Sequence, residues 1–214
     1  MDIDTYYKKR AYSGMSSSRR RAIIKLLGKP QNKKILDVGC GTGYLGREIK
    51  KLGENKVIGI DISAKAIEEA KKVLDEVFIL NIEKDELPFT VSTFDIVILT
   101  DVLEHLYNPE AVLLKLRKYL KKNGFLIITV PNFSFIRTRF KVLFGNFEYQ
   151  DKGLLERGHI RFFTKKTLLK LLEKTEFKIL KFEPIYHARF TKLRIPIKVI
   201  STLFATQFAV KAKK

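Results

Sequence analysis

The sequence predicts a doubly wound α/β fold: a seven-stranded, mostly parallel sheet with an antiparallel last edge strand and a lid insertion in its second half. Three observations carry this. Short apolar runs alternate with stretches of helical period over residues 33–183, the pattern of strands joined by crossover helices. The first run enters a glycine turn, Ile35 to Gly46 (ILDVGCGTGYLG), and leaves it as a helix. Phe94 to Leu99 (FDIVIL) is apolar on both faces, as a central strand covered on both sides must be.

In chain order, Ser16, Ser17 and Ser18 before RRRAIIKLL read as an N-capped amphipathic helix that ends near Gly28 and Pro30. Lys33 to Val38 is the first strand, and Tyr44 to Leu52 the helix after the glycine turn. Lys56 to Asp61 is the second strand, with Ser63 capping a helix to about Leu74. Val77 to Leu80 and Phe94 to Leu99 are the third and fourth strands. Pro109 to Leu120 is a helix with proline in its first turn, and Phe125 to Val130 the fifth strand. Residues 132–163 are aromatic and basic with no clean period, which reads as an insertion. Thr164 to Thr175 restores a helix and Phe177 to Phe182 a sixth strand. Phe208 to Lys213 alternates weakly, as a final edge strand would, and residues 190–204 are basic and apolar, interrupted by Pro196.

The 214 residues are most simply one domain, 1–214. Within it lie an N-terminal helical segment (1–30), a core (31–132) and a cover made of 133–163 and 190–204. No apolar run reaches the ~18 residues of a membrane span, and MDIDTYYKKR lacks a signal peptide's apolar segment. One cysteine, Cys40, excludes an internal disulfide and fits a reducing compartment. A cytoplasmic location follows as an expectation, with peripheral contact at a membrane. The net charge of +19 is uneven. Residues 31–132 hold 15 Lys+Arg against 15 Asp+Glu, residues 1–30 carry +6 and residues 133–214 carry +13. The core is neutral and the excess flanks it, either as a positive field at a substrate entrance or as a solvated surface.

Gly39, Gly41 and Gly43 let the backbone turn tightly and let a ligand lie against main-chain N–H groups. Asp61, ending the second strand, can accept both hydroxyls of a ribose. Two cofactor classes fit. Gly41-x-Gly43-x-x-Gly46 matches the dinucleotide fingerprint. Asp37 opposes a pyrophosphate at the same turn and would favour a cationic sulfonium bearing an ammonium group.

Asp37-x-Gly39-x-Gly41-x-Gly43 resembles the first motif of class I S-adenosylmethionine-dependent methyltransferases, which share a Rossmann-like fold. ILNIEKDELPF is similar to that family's third-strand segment, where an acidic residue and its neighbour frame the adenine; here those positions are Asn81 and Ile82. FDIVILTDVLEHL resembles the fourth-strand motif, whose end passes the methionine portion of the cofactor at Thr100. Leu87-Pro88-Phe89, and Gly124 with VPN after strand five, extend the likeness. Residues 145–166 look like the lid of methyltransferases grouped with ubiquinone-biosynthesis O-methyltransferases and enzymes of cell-surface glycan synthesis, through Tyr149, Gly153, His159, Arg161 and Phe163. The resemblance implies S-adenosyl-L-methionine held by Asp37, Gly39, Cys40, Gly41, Gly43, Asp61, Ile62, Asn81, Ile82 and Thr100. It implies an enzyme that O-methylates a small, lipid- or glycan-linked acceptor. An RNA or protein methyltransferase is the alternative, and, in another class, an NAD(P)-dependent oxidoreductase or a non-catalytic cofactor-binding protein.

His105 follows Asp101 and Glu104 in D-x-x-E-H. The three read as a catalytic base or a hard-metal site, since ubiquinone O-methyltransferases carry a similar cluster, or as groups that satisfy backbone at a helix end. No essential metal is expected. His159 could take a proton from a substrate hydroxyl and Arg161 clamp a carboxylate or phosphate, or both could pin the lid. Phe133 to Phe147 (FSFIRTRFKVLFGNF) suits stacking on bases, an interfacial helix on an anionic membrane, or a helix covering the sheet. No separate nucleic-acid-binding module is visible.

Overall fold

The computed structural model describes residues 15–151, 153–187 and 201–214. The first helix, α1 (Ser17–Leu27), is capped by the Ser16 side chain, which accepts the Arg19 N–H, and ends at Gly28 with φ 75°. There follow β1 (Lys34–Val38), α2 (Tyr44–Lys50), β2 (Lys56–Asp61), α3 (Ala64–Ala70), β3 (Glu76–Ile79) and β4 (Phe94–Thr100). A 3₁₀ turn (Leu103–His105) precedes α4 (Pro109–Tyr119), β5 (Leu120–Pro131) and α5 (Ile136–Leu143). The rest is α6 (Lys165–Lys174), β6 (Lys178–Ile185), α7 (Ser201–Phe204) and β7 (Gln207–Lys213). The sheet order is β3-β2-β1-β4-β5-β7-β6.

Alternate residues of the central strands feed two cores. Leu36 and Val38 of β1 and Val97 and Leu99 of β4 join one, beneath Val112, Leu113 and Leu116 of α4 and Leu168 and Leu172 of α6. Ile35, Ile96 and Ile98 join the other, beneath Ile23 and Leu26 of α1, Ile49 of α2 and Ile67 of α3. That is why these strands are apolar at nearly every position. Gly46 lets α2 sit close to the sheet, because a Cβ there would collide with Leu74 and Val57.

The last strand is antiparallel as expected, but it does not lie at the edge. β7 pairs antiparallel with β5 on one side and β6 on the other, leaving β6 outermost. Phe208, Ala209 and Val210 are consecutive and all buried, so both faces of β7 are covered; that is an interior strand's signature, not weak alternation. Leu180 of β6, by contrast, is exposed. Among its described residues the insertion holds one helix, α5, followed by turns that return to the sheet through a bridge between Asn132 and Phe163. Of the expected cover at 190–204, residues 190–200 lie outside the described residues.

Candidate active site

β1 has β2 on one side and β4 on the other. The strand order therefore reverses beside it, and the carboxyl ends diverge around a crevice, the usual ligand site of an open α/β sheet. Here the crevice is a cleft of about 1370 Å³ lined by the glycine turn, the ends of β2 and β4, the Leu80–Lys84 turn and Arg157, Gly158 and Ile160 of the insertion.

The glycine turn is stitched to β2: Gly39 and Cys40 N–H groups donate to the Ile60 carbonyl at 2.8 and 3.1 Å, and Gly41 N–H to the Asp61 carboxylate at 2.8 Å. Gly39, Gly41 and Gly43 have φ of 69°, 53° and 78°, a region costly to residues with a Cβ. Their surroundings differ. A Cβ on Gly39 would lie 2.6 Å from Val102 and one on Gly43 2.7 Å from Val73, whereas one on Gly41 would meet nothing within 4 Å. Gly39 and Gly43 thus permit packing, and Gly41 keeps the cleft open.

Asp37 is sealed at the cleft floor, and neither carboxylate oxygen has a hydrogen-bond partner among the described residues. Burial, aided by repulsion from Asp61, pushes its pKa from 3.8 to about 7. A buried acid without donors rejects a pyrophosphate and suits a cationic ligand group. Asp61 is raised by burial, while N–H groups of Ser63, Gly41 and Ile62 pull it back. Cys40 packs against Gly59, where a Cβ would come within 2.7 Å of its sulfur. Burial raises its pKa strongly, so the thiol is an inert filler.

Ile62, Asn81, Ile82 and Thr100 all line the cleft. Asn81, however, already uses its amide oxygen to accept the Glu83 and Lys84 N–H groups at 3.0 and 3.4 Å. That oxygen shapes the turn after β3.

The D-x-x-E-H cluster splits. Asp101, at φ 55°, directs its carboxylate to Arg19 of α1, to the Thr129 hydroxyl at 2.8 Å and to the Gln207 amide at 3.3 Å. It is therefore no partner of Glu104 and His105. Its place is taken by His159, and ligand atoms of Glu104, His105 and His159 lie within 4.8 Å of one another. The two imidazoles meet edge to face at 4.8 Å. Each hydrogen-bonds through Nδ1 to a carbonyl, His105 to Gly158 at 2.8 Å and His159 to Leu154 at 2.9 Å. A carbonyl only accepts, so both Nδ1 atoms carry the proton and Nε2 is the second functional nitrogen. His159 Nε2 stands 4.0 and 3.9 Å from the Glu104 and Glu156 carboxylates.

Only His105 of this group lines the cleft; Glu104 and His159 are buried behind it. Main-chain N–H groups of Ile160 and Arg161 both donate to the Glu104 carbonyl, which clasps the insertion to the 3₁₀ turn. Arg161 donates to the Tyr107 carbonyl and borders a smaller pocket with Pro109 and Phe163, outside the main cleft. Tyr149 is exposed and stacks edge-on with Phe147. Arg19 and Arg157, unremarked in the sequence, both line the cleft; neither has a local signal, because each is delivered by a distant segment. His159→Ala is expected to cost about 1–3 kcal/mol, as loss of a buried hydrogen-bonded polar group does. A lowered melting temperature and faster proteolysis near Gly158 would show it.

These features meet in one class of protein. A family model described as "Methyltransferase domain" matches residues 8–181, and the chain belongs to that family. The mitochondrial ubiquinone biosynthesis O-methyltransferase of Schizosaccharomyces pombe is 39% identical over 106 residues, 45% of this chain and 37% of that protein. The demethylmenaquinone methyltransferase of Thermotoga maritima is 26% identical over 189 residues, 81% of this chain and 82% of that protein. The chain spans about a third to a half of the length of most curated relatives it matches. A SAM-dependent methyltransferase from Archaeoglobus fulgidus has the same fold, with TM-score 0.72 over 100% of both chains at 19% identity. The fold is that of solved S-adenosylmethionine-dependent methyltransferases, and the family is that of the methyltransferase domain.

Proposed function

We propose that the chain transfers a methyl group from S-adenosylmethionine to an oxygen of a small, lipid- or glycan-linked acceptor. The observation that carries the cofactor half is Asp37, a carboxylate with no donor among the described residues, at the floor of a glycine-turn cleft, with Asp61 at the end of the neighbouring strand. Bound there, the cofactor supplies an electrophilic methyl on a sulfonium. Asp61 would accept the ribose hydroxyls, Asp37 would face the cationic end, and Ile62 and Ile82 would flank the adenine. Gly41 leaves room for close approach. His105, with Nε2 as its basic nitrogen, is the residue suited to take the acceptor's proton; the rest of the catalysis is positioning.

Support for an oxygen acceptor comes from the names of relatives: ubiquinone biosynthesis O-methyltransferases and a malonyl-[acyl-carrier protein] O-methyltransferase. The second catalytic pair expected from sequence, His159 and Arg161, acts in this reading by holding the insertion over the mouth. We place the protein in the cytoplasm and at a membrane surface; no helix among the described residues is long and apolar enough to cross one.

Asp61→Ala tests the cofactor site. Loss of the charged hydrogen-bond partner, worth ~1.5–3 kcal/mol net of water, predicts a tenfold to hundredfold weaker affinity for S-adenosylhomocysteine by calorimetry. Tight binding of a nicotinamide dinucleotide, with none of the sulfonium cofactor, would overturn the reading. Transfer of labelled methyl into lipid, glycan, RNA and protein extracts then identifies the acceptor class.

A further inference from the structure

We propose that α5 and the turn after it form a docking surface for an anionic lipid bilayer. Of the eight residues of α5, only Thr138 is buried. Phe140, Leu143 and Phe144 are 52%, 74% and 73% exposed, and Val142, Phe147 and Tyr149 are exposed beside them. The rings of Phe140 and Phe144, one helical turn apart, stack at 6.5 Å with their planes 12° apart. Phe147 continues the surface, meeting Tyr149 at 5.6 Å and Phe162 at 6.0 Å. A contiguous apolar ridge of this kind marks an interaction surface, since single exposed apolar residues are ordinary and a run of them is not.

The charges on the same segment select the occupant. Arg137, Arg139 and Lys141 lie on α5 and are all exposed, and residues 132–147 contain no Asp or Glu. Among the described residues none of the three forms an ion pair with a carboxylate; Arg139 donates to the Ser134 carbonyl at 2.9 Å. An apolar protein face would leave these cations without counter-charge. A nucleic acid would supply the charge but has no use for aliphatic Val142 and Leu143. The headgroup region of an anionic bilayer answers both, with phosphates for the cations and the acyl boundary for the ridge.

The ridge is also placed for such a role. β5 runs parallel to β4, with Thr129 opposite the cleft-lining Thr100, so it ends at Pro131 on the same carboxyl edge of the sheet, and α5 begins five residues later. Asn132 between them is buried, and its amide donates to the Thr202 and Ala205 carbonyls at 2.8 and 2.7 Å. The helix thus stands on a fixed base at the edge of the sheet where the cleft lies. The surface does not depend on the acceptor proposed above, and its test involves no methyl transfer.

The full chain is sedimented with vesicles of phosphatidylcholine alone or with about 30% phosphatidylglycerol, whose charge is worth about fivefold per nearby cation. Binding at least tenfold stronger to the anionic vesicles is expected. It should fall as salt rises from about 0.1 M to about 1 M, where the Debye length shrinks from ~10 to ~3 Å. The variant Leu143→Asp/Phe144→Asp should lose this binding while its melting temperature and S-adenosylhomocysteine affinity match the parent's, since both side chains are exposed. Arg137→Glu/Lys141→Glu should lose about 25-fold or more on anionic vesicles alone. Equal binding to both vesicles, no binding, or full binding by the first variant would overturn the proposal. Retention on single-stranded RNA in place of vesicles would overturn it in favour of nucleic acid.

Discussion

Asp37→Asn is expected to make the ligand-free protein more stable at pH 8 and yet a poorer binder of S-adenosylmethionine. The folded carboxyl titrates near pH 7 and the unfolded one near 3.8. Below 3.8 both states are protonated. Between 3.8 and about 7 only the folded state holds the proton, so stability falls by ~1.4 kcal/mol per pH unit as pH rises, and above about 7 the loss is complete. The swing is on the order of 4 kcal/mol, or about 10 °C in melting temperature for a domain of this size. Asparagine mimics the protonated acid at every pH. Parent and variant should therefore melt together only below about pH 3.8 and diverge steadily from there to pH 8, with the variant higher; their difference cancels every group common to both. Affinity for the cationic cofactor at pH 8 should drop about tenfold with loss of the charged partner. Parallel melting profiles across this window would refute the assignment.

His105→Ala should depress methyl transfer on the order of a hundredfold, the lower end for a lost general base, with S-adenosylhomocysteine affinity within about threefold. Single-turnover rates beside calorimetry separate the two. The parent should keep its rate after exhaustive chelation. If chelation abolished transfer and Mg²⁺ or Zn²⁺ restored it, Glu104, His105 and His159 would be a metal centre, and His105 a ligand in place of a base.

What could be read from the chain in advance was local. The glycine turn, Asp37 and Asp61 are close in sequence, and short strands such as Lys56–Asp61 are bounded as expected because β2 has covered faces and a turn at each end. Three features were hidden because distant segments create them. Asp101 leaves the D-x-x-E-H cluster because Arg19, 82 residues earlier, and Gln207, 106 residues later, claim its carboxylate. His159 enters that cluster through backbone pairing of the insertion with Glu104, which no side-chain pattern announces. The position of β7 rests on pairing across nearly 80 residues, as between Val130 and Phe208. Periodicity reports which faces are covered, not by which strand.

That placement governs the order in which the sheet can be completed. β6 reaches the sheet only through β7, which the ribosome delivers more than twenty residues later. Until it arrives, β5 carries an open hydrogen-bonding edge of Phe125–Pro131, and β6 has no strand to dock on. An emerging chain therefore exposes a long apolar edge next to the exposed ridge of α5, the kind of surface that templates association between nascent copies. Recombinant yield should depend on how long that interval lasts, with slower translation between Ile185 and Gln207 favouring aggregates over folded enzyme.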